Sequence, residues 1–282
     1  MNQLQHPLSF VHKFNLYKLS GLLIEEDDLA SIARVYGVSL EDLKGIEERF
    51  RRNVAELSAA LEAESKSAAE PAAESAAEPA AATAGDGTPP VSILAIGDSI
   101  TSDRESYVKI LNHYWRNDPS RQMLDAAVSG DTSADLIKRF YSTVLNREFQ
   151  WAVLFIGTND CLQLDDERRI SVLSLDEYMR NMRFLTETLI TKGKRLIQIT
   201  IPPVDNERLR SFFPDANAVY TREQIGAVNS FIREWAGKYG YPVADLARAI
   251  ERQEEDVLEP DGLHLNGRGQ RLISELLLEL LP

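Results

Sequence analysis

The chain has 282 residues, which is enough for one large core and a smaller module. Its formal net charge of −13 argues against duplex nucleic acid or an anionic membrane surface as the main partner. A single cysteine, Cys161, excludes an intramolecular disulfide, and we find no secretory signal pattern and no bilayer-spanning stretch. We therefore expect a cytoplasmic protein without membrane insertion.

Residues 1–58 have the pattern of a short helical hairpin module. Acidic residues precede an apolar pattern at helical spacing that Gly37 ends, and Ser39 is a typical cap for the next helix. The apolar side chains of this second helix recur every three or four residues and form one stripe: Leu43, Ile46, Phe50, Val54, Leu57 and Leu61. Because such a stripe is too large to leave in water, we expect self-association, a homo-oligomer through the N-terminal helices.

The turn between the two predicted helices resembles that of a helix-turn-helix, with Ala33, Gly37 and Ser39 at the matching positions. Any tight helical hairpin favours the same residue types there. A DNA-reading helix is usually basic, whereas this one opens with Glu41 and Asp42. We therefore expect no nucleic-acid partner.

The segment 59–90 consists almost entirely of Ala, Glu, Ser and Pro. With almost no large apolar side chain to bury, it cannot offset the entropy lost on ordering. Its near-repeats are typical of low-complexity sequence and not of a solenoid. We predict a flexible acidic linker at 59–90, with helix continuing into its first residues.

From residue 91 to residue 282, strand and helix patterns alternate. Apolar runs predict strands, and a helical pattern follows each of them; the strands are 91–96, 122–128, 151–157, 195–201 and 242–246. Strands that are mostly apolar are typical of a parallel sheet that is covered on both faces. The fold prediction is a doubly wound, three-layer α/β/α domain with a five-stranded parallel sheet of the flavodoxin-like type.

Polar residues of interest follow the carboxyl ends of these strands, which meet at one edge of a parallel sheet. Ser99 follows the first strand, Gly130 the second and Asn159 the third, and Asp261 and His264 precede the last helix. Acyl transfer needs a hydroxyl, a base, a group that orients the base, and donors for the oxyanion. The five residues supply each of these groups.

Four segments, in this order along the chain, resemble the conserved blocks of the SGNH or GDSL-type serine hydrolases. The matching residues are Gly97-Asp98-Ser99-Ile100, Gly130, Gly157-x-Asn159-Asp160 and Asp261-x-x-His264. The resemblance covers residues 91–282 and departs from the pattern at Ile100, where the family has leucine. It implies that Ser99 is the nucleophile, that His264 is the general base and that Asp261 orients it. It also implies an oxyanion hole formed by the Ser99 and Gly130 N–H groups and the Asn159 amide.

We therefore expect a serine esterase or acyl-hydrolase that cleaves a small-molecule carboxylic ester or thioester through an acyl-Ser99 intermediate, with no metal and no cofactor. Asp98 and Asp160 are interpreted as supporting residues that hold the active-site turns through backbone N–H groups. Asp131 and Thr132 are expected to cap the following helix. The pocket is expected to be shallow and open, because only loops cover this edge. The segments 162–174 and 205–220 are its natural walls.

Two other classes stay open on the sequence alone. A metal-dependent phosphoesterase would use the oxygen and nitrogen ligands gathered at this edge: Asp98, Asp131, Asp160, Asp261 and His264. A non-catalytic adaptor would keep the fold as a binding surface and use the N-terminal hairpin as its working part. The sequence also leaves open whether the hairpin dimerises, docks onto a partner or folds back over the active site.

Overall fold

The computed structural model describes residues 7–20, 24–73, 91–164 and 167–282. Its strands are β1 (Val91–Gly97), β2 (Arg121–Asp125), β3 (Trp151–Phe155), β4 (Gln163–Leu164), β5 (Ile170–Ser171), β6 (Arg195–Ile199), β7 (Ala218–Val219) and β8 (Val243–Ala244). Its α-helices are α1 (Pro7–Lys13), α2 (Leu29–Tyr36), α3 (Leu40–Ala73), α4 (Ser99–Ser102), α5 (Tyr107–Tyr114), α6 (Ser133–Arg139), α7 (Leu175–Thr191), α8 (Asn206–Phe212), α9 (Arg222–Tyr239), α10 (Leu246–Ile250) and α11 (Gly267–Leu278). Shorter turns are the 3-10 segments Leu16–Ser20 and Asn159–Cys161 and the π-helical turn Phe140–Val144.

The main sheet has five parallel strands in the order β2-β1-β3-β6-β8. The central strands are uncharged and fully buried along most of their length, as the apolar runs of the sequence predict. Helices α3, α5 and α11 pack on one another, and α7 packs on both α6 and α9, which gives the two helical layers around the sheet. The predicted doubly wound α/β fold is confirmed. A small antiparallel sheet, β5-β4-β7, lies outside it.

Helix α3 is longer than the hairpin module, and its apolar stripe is covered. It extends to Ala73, into the segment whose first residues are predicted to continue the helix. Its apolar stripe packs within the chain: Val54 and Leu61 join the core of the α/β domain, and Leu43 packs with Tyr17 and α2. The stripe is therefore already covered and offers no surface for the expected self-association, while the oligomeric state itself stays a prediction. The rest of the predicted linker, residues 74–90, lies outside the described residues.

A buried lysine joins the N-terminal segment to the α/β domain. Lys13, at the end of α1, is 1% exposed and contacts three carboxylates. Its Nζ lies 3.2 Å from an oxygen of Asp103 and 3.6 Å from one of Glu259, and it also pairs with Glu105. Burial alone would lower the pKa of the ammonium, but these carboxylates raise it above its ordinary value. Lys13 is therefore held charged inside the protein.

Arg104 and Asn15 extend this contact. The Arg104 backbone N–H donates to the Lys13 carbonyl at 2.9 Å, and the Arg104 side chain donates to the Asn15 side-chain oxygen at 2.9 Å. Asn15 in turn donates to the Ser102 carbonyl at the end of α4. The N-terminal segment is thus attached by hydrogen bonds to the turn that follows β1.

Among the described residues, none of the helices combines the length and the apolar character that crossing a membrane requires.

Removing the buried ammonium tests how strongly this segment is held. We expect Lys13→Met to lower the free energy of unfolding by about 3–5 kcal/mol at neutral pH, because it leaves buried carboxylates without their partner. Lys138→Met is the matched control, since Lys138 is exposed and pairs with Asp135 of the same helix. We expect it to cost less than about 1 kcal/mol. Urea unfolding followed by circular dichroism measures both.

The stability lost in Lys13→Met should also depend on pH, and the pKa values of the neighbouring carboxyls give the direction. Burial raises the pKa of Asp103 to about 6 and that of Glu259 to about 7, so both take up a proton at a higher pH than an ordinary carboxyl does. Without Lys13 they take up protons more readily still, and protonation relieves the unpaired charge. The loss of stability in Lys13→Met should therefore be larger at about pH 8 than at about pH 5. An equal loss at both values would contradict this account.

Candidate active site

The turn between β1 and α4 presents Ser99 at the carboxyl edge of the sheet. It begins at Gly97, where a Cβ atom would lie 2.5 Å from the Phe155 carbonyl oxygen and against the Thr101 side chain, so only glycine fits. Asp98 caps α4, and its carboxylate accepts the Ile100 N–H at 3.0 Å. Ser99 follows directly, as the first residue of the helix.

Three predicted residues lie in hydrogen-bond contact. The Ser99 Oγ is 2.8 Å from the His264 Nε2, and the His264 Nδ1 is 2.6 Å from the Asp261 Oδ2. The other Asp261 oxygen accepts the backbone N–H groups of Leu263 and His264 at 2.9 and 3.0 Å. The carboxylate is thus fixed by its own loop, and the imidazole is fixed between the carboxylate and the hydroxyl.

The pKa values of His264 and Asp261 are set by their burial and by the contact between them. Burial by itself lowers the pKa of the His264 imidazole, but the Asp261 carboxylate raises it, so the pKa lies above its ordinary value of 6.5. Burial would raise the pKa of Asp261, whereas the His264 side chain and the two backbone N–H groups lower it, and the net direction is down. Asp261 is therefore ionised at neutral pH, and His264 is a stronger base than a free imidazole.

Gly130 and Asn159 lie next to one another on the neighbouring turns. Gly130 has φ of 80°, a left-handed conformation that favours glycine, and is exposed. The Asn159 side-chain amide donates to the Asp131 carbonyl, one residue further along, at 2.9 Å. The loop that carries Gly130 is joined to the Ser99 turn, because the Val128 N–H donates to the Gly97 carbonyl at 3.1 Å. The turns after β1, β2 and β3 are therefore in contact.

Asp98 and Asp160, which the sequence predicts to support the turns, both accept backbone N–H groups through their carboxylates. Asp98 binds Ile100 as described, and both oxygens of Asp160 accept the Ser133 N–H, at 3.0 and 3.1 Å. Burial raises the pKa of Asp98 to about 7 and that of Asp160 to about 6. Of the two expected helix caps, Thr132 caps α6, whereas Asp131 pairs with Arg139 at 2.6 Å.

The expectation of a shallow, open pocket is wrong on the histidine side. The Phe14 ring stacks on the His264 imidazole, with centroids 3.9 Å apart and planes at 22°. Phe10 meets the same imidazole edge to face, at 6.0 Å. Ser99 is only 8% exposed and His264 only 7%. The N-terminal segment lies over this part of the site because Lys13 and Asn15 attach it there, so more than loops of the α/β domain covers the edge.

Sequence reasoning missed Phe10, Lys13 and Phe14 as parts of the candidate site. The available signal is a pair of phenylalanines four positions apart, a spacing that would place both on one face if the helix continued through it. That spacing is equally typical of ordinary core packing, and nothing local indicates which surface it covers.

The residues proposed above for a metal-dependent phosphoesterase have other partners. Asp98 and Asp160 bind backbone N–H groups, and Asp131 pairs with Arg139. Within the described part of the chain, no three His, Cys, Asp or Glu side chains converge in a way that would hold a metal ion.

The α/β domain is similar to several known proteins. The GDSL esterase/lipase WDL1 of Oryza sativa subsp. japonica is 24% identical over 135 residues, which are 46% of this chain and 52% of the rice protein. The match thus spans about half the length of that relative. The crystal structure of the lipase/acylhydrolase from Enterococcus faecalis has a TM-score of 0.55 and 25% identity, over 67% of this chain and 94% of that chain.

A further likeness concerns the fold alone. Axe2, an acetyl xylan esterase from Geobacillus stearothermophilus, has a TM-score of 0.53 at 18% identity, over 68% of this chain and 94% of that chain. The five-stranded parallel sheet with its flanking helices is therefore the fold of SGNH hydrolases.

The family model of the GDSL-like lipase/acylhydrolases matches residues 95–272, from within β1 to within α11. This range is more than half of the chain, and it contains every residue on which the resemblance in the sequence rests. The N-terminal helices lie outside it. The chain belongs to the GDSL-like lipase/acylhydrolase family.

Proposed function

We propose that the protein is a serine hydrolase of carboxylic esters or thioesters, with Ser99, His264 and Asp261 as its catalytic triad. The observation that carries the proposal is the continuous contact from the Ser99 hydroxyl through the imidazole to the Asp261 carboxylate. The order of these groups matches the chemistry that activates a serine nucleophile. Family membership and the esterase and acylhydrolase relatives support the same reaction.

Acylation begins when the Ser99 Oγ attacks the ester carbonyl and the His264 Nε2 takes the hydroxyl proton. Asp261 accepts the Nδ1–H of the imidazole and stabilises the imidazolium that forms. The carbonyl oxygen becomes an oxyanion, for which the Gly130 N–H and the free hydrogen of the Asn159 amide are the proposed donors, with the Ser99 N–H. When the C–O bond to the alcohol breaks, His264 returns its proton to the leaving oxygen.

Deacylation repeats the same steps with water in place of serine. His264, now neutral, removes a proton from water as the oxygen attacks the acyl carbon. The bond to the Ser99 Oγ then breaks, the proton returns to serine, and the carboxylic acid leaves. Because His264 acts as base in both halves, the hydrolase is active only while the imidazole is unprotonated.

Covalent labelling tests the nucleophile. We expect a fluorophosphonate probe to modify the wild-type protein, and we expect Ser99→Ala and His264→Ala to abolish labelling, since they remove the nucleophile and its base. Ser142→Ala is the matched control, because Ser142 is exposed and its hydroxyl donates to the Arg139 carbonyl within its own helical turn, and it should label as wild type does. Labelling that persists in Ser99→Ala would assign the nucleophile elsewhere. Wild-type activity abolished by EDTA would favour the phosphoesterase alternative.

The oxyanion donor is tested by Asn159→Ala. We expect kcat for a simple ester to fall by about 10²- to 10³-fold, because the amide acts on charge that develops in the transition state. KM should change much less, since the ground-state carbonyl gains little from this donor. A loss of less than about threefold in kcat, measured by ester titration, would remove Asn159 from the catalytic machinery.

The pH profile tests the base and its partner. Activity should fall as the pH drops through the raised pKa of His264, so the acid limb of kcat/KM is expected above the ordinary 6.5. Asp261→Asn removes the carboxylate that raises this pKa. The limb should move to lower pH, while kcat falls by about 10³- to 10⁴-fold. Asp256→Asn, an exposed carboxylate near the same loop, is the control and should leave the limb in place.

A further inference from the structure

The catalytic edge is covered unevenly. On the oxyanion side, Gly130 is exposed and Asn159 is partly exposed. On the other side, Ser99 and His264 are nearly buried. A substrate therefore reaches the serine from the open side. Any part of the substrate that lies beside the imidazole contacts the residues that cover the histidine.

These covering residues belong to a segment that the family match does not include. We call residues 9–15 the N-terminal strap. Within it, Phe14 is completely buried against the His264 ring, whereas Phe10 lies at the edge of that ring and is partly exposed. Of the two aromatic side chains, Phe10 is therefore the one that a bound molecule contacts.

Phe10 continues into an aromatic surface on α8. Its ring centroid lies 5.3 Å from that of Phe212 and 5.7 Å from that of Phe213, and the latter two are 4.8 Å apart. All three side chains are partly exposed. We call Phe10, Phe212 and Phe213 the aromatic wall. One part of it comes from the strap and the other from the 205–220 segment that the sequence suggests as a pocket wall.

The strap is held in place by polar contacts on both sides of Phe14. The Ser129 hydroxyl donates to the Phe14 carbonyl, and Asn15 donates to the Ser102 carbonyl at 2.6 Å. Lys13 binds Glu259 in the loop that carries Asp261. The strap thus contacts the turns that carry the serine, the oxyanion donor and the histidine. Such contacts make it a fixed part of the site.

We propose that the aromatic wall binds the alcohol portion of the ester and favours apolar or aromatic alcohols. This inference rests on the proposed ester hydrolysis, in which the His264 Nε2 returns a proton to the leaving oxygen. The leaving alcohol must therefore lie beside the imidazole, and the partly exposed surface beside the imidazole is the aromatic wall. The acyl portion is left to the other, more open side of the serine.

Two ester series separate the two portions of the substrate. In the first, ethyl acetate is compared with 2-phenylethyl acetate, whose leaving alcohols are similar in acidity and differ in size and aromatic character. In the second, ethyl acetate is compared with ethyl butyrate. We expect the wild-type protein to prefer 2-phenylethyl acetate in kcat/KM, and Phe10→Ala to lower that preference by about three- to tenfold. The butyrate-to-acetate ratio should stay unchanged.

Phe184→Ala is the matched control, because this exposed aromatic on α7 packs with Phe140 and Tyr141 and is not part of the wall. It should change neither ratio. Phe213→Ala removes the wall from the α8 side and should lower the alcohol preference as Phe10→Ala does. The thermal unfolding midpoint of Phe10→Ala shows whether that variant folds. If it does not, Phe213→Ala is used for the test instead.

Three outcomes would overturn the inference. An unchanged alcohol preference in folded Phe10→Ala and Phe213→Ala would mean that the wall does not contact the alcohol. A changed butyrate-to-acetate ratio would make it an acyl-binding surface. An equal rise for every ester would make the strap a cover over the serine. A wild-type protein that is neither labelled by a fluorophosphonate nor active on any ester would instead reject the hydrolase function, and this inference with it.

Discussion

The active edge depends on the parallel pairing of β1 with one strand on each side. Gly97 pairs with Phe155 of β3, and Ala95 pairs with Asp125 of β2, so the three strands end at nearly the same level. Since parallel strands share a direction, the turns that follow them meet. This constraint brings together the turns that carry Ser99, Gly130 and Asn159. His264, which is 165 positions away from Ser99 in the chain, reaches its hydroxyl from the loop before α11. Without that register, each of these turns would be an ordinary surface loop.

Polar side chains are buried where these turns meet, and hydrogen bonds within the turns offset the free-energy cost of that burial. Asp98 and Asp160 hold the turns by accepting backbone N–H groups, although burial raises the pKa of each carboxyl toward neutrality. Asp261 occupies an equally buried position but keeps a lowered pKa, because it has an imidazole partner as well as two N–H donors. The three buried carboxyls at this edge thus differ in pKa. Of the three, only Asp261, which contacts the histidine, has its pKa lowered and is strongly held in its ionised form.

The parts that the sequence predicts are those with a local signal. Strand β1 is recognisable because it carries no charge and, apart from Ser92, only apolar residues and a final glycine. The polar residues that follow it lie at the end of the strand whatever the length of the loops. The helical start of the predicted linker has a physical reason. Ala and Glu, which make the segment low in complexity, are also strong helix formers, so α3 continues to Ala73. Ion pairs from Arg116 to Glu62 and from Arg271 to Glu64 join its later turns to α5 and α11.

The N-terminal strap could not be predicted in the same way, because its signals exist only in three dimensions. A lysine in a sequence predicts a solvated side chain, and Lys13 becomes a buried residue only when Asp103, Glu105 and Glu259 are folded around it. The same contact links the strap to the candidate site, since Glu259 begins the loop that holds Asp261 and its backbone N–H donates to the His264 carbonyl at 2.7 Å. The charge that anchors the strap and the backbone that holds His264 are therefore neighbours. A segment outside the family match thus packs against the Ser99–His264–Asp261 contact, so the surroundings of that contact are set partly by residues that the family model does not describe.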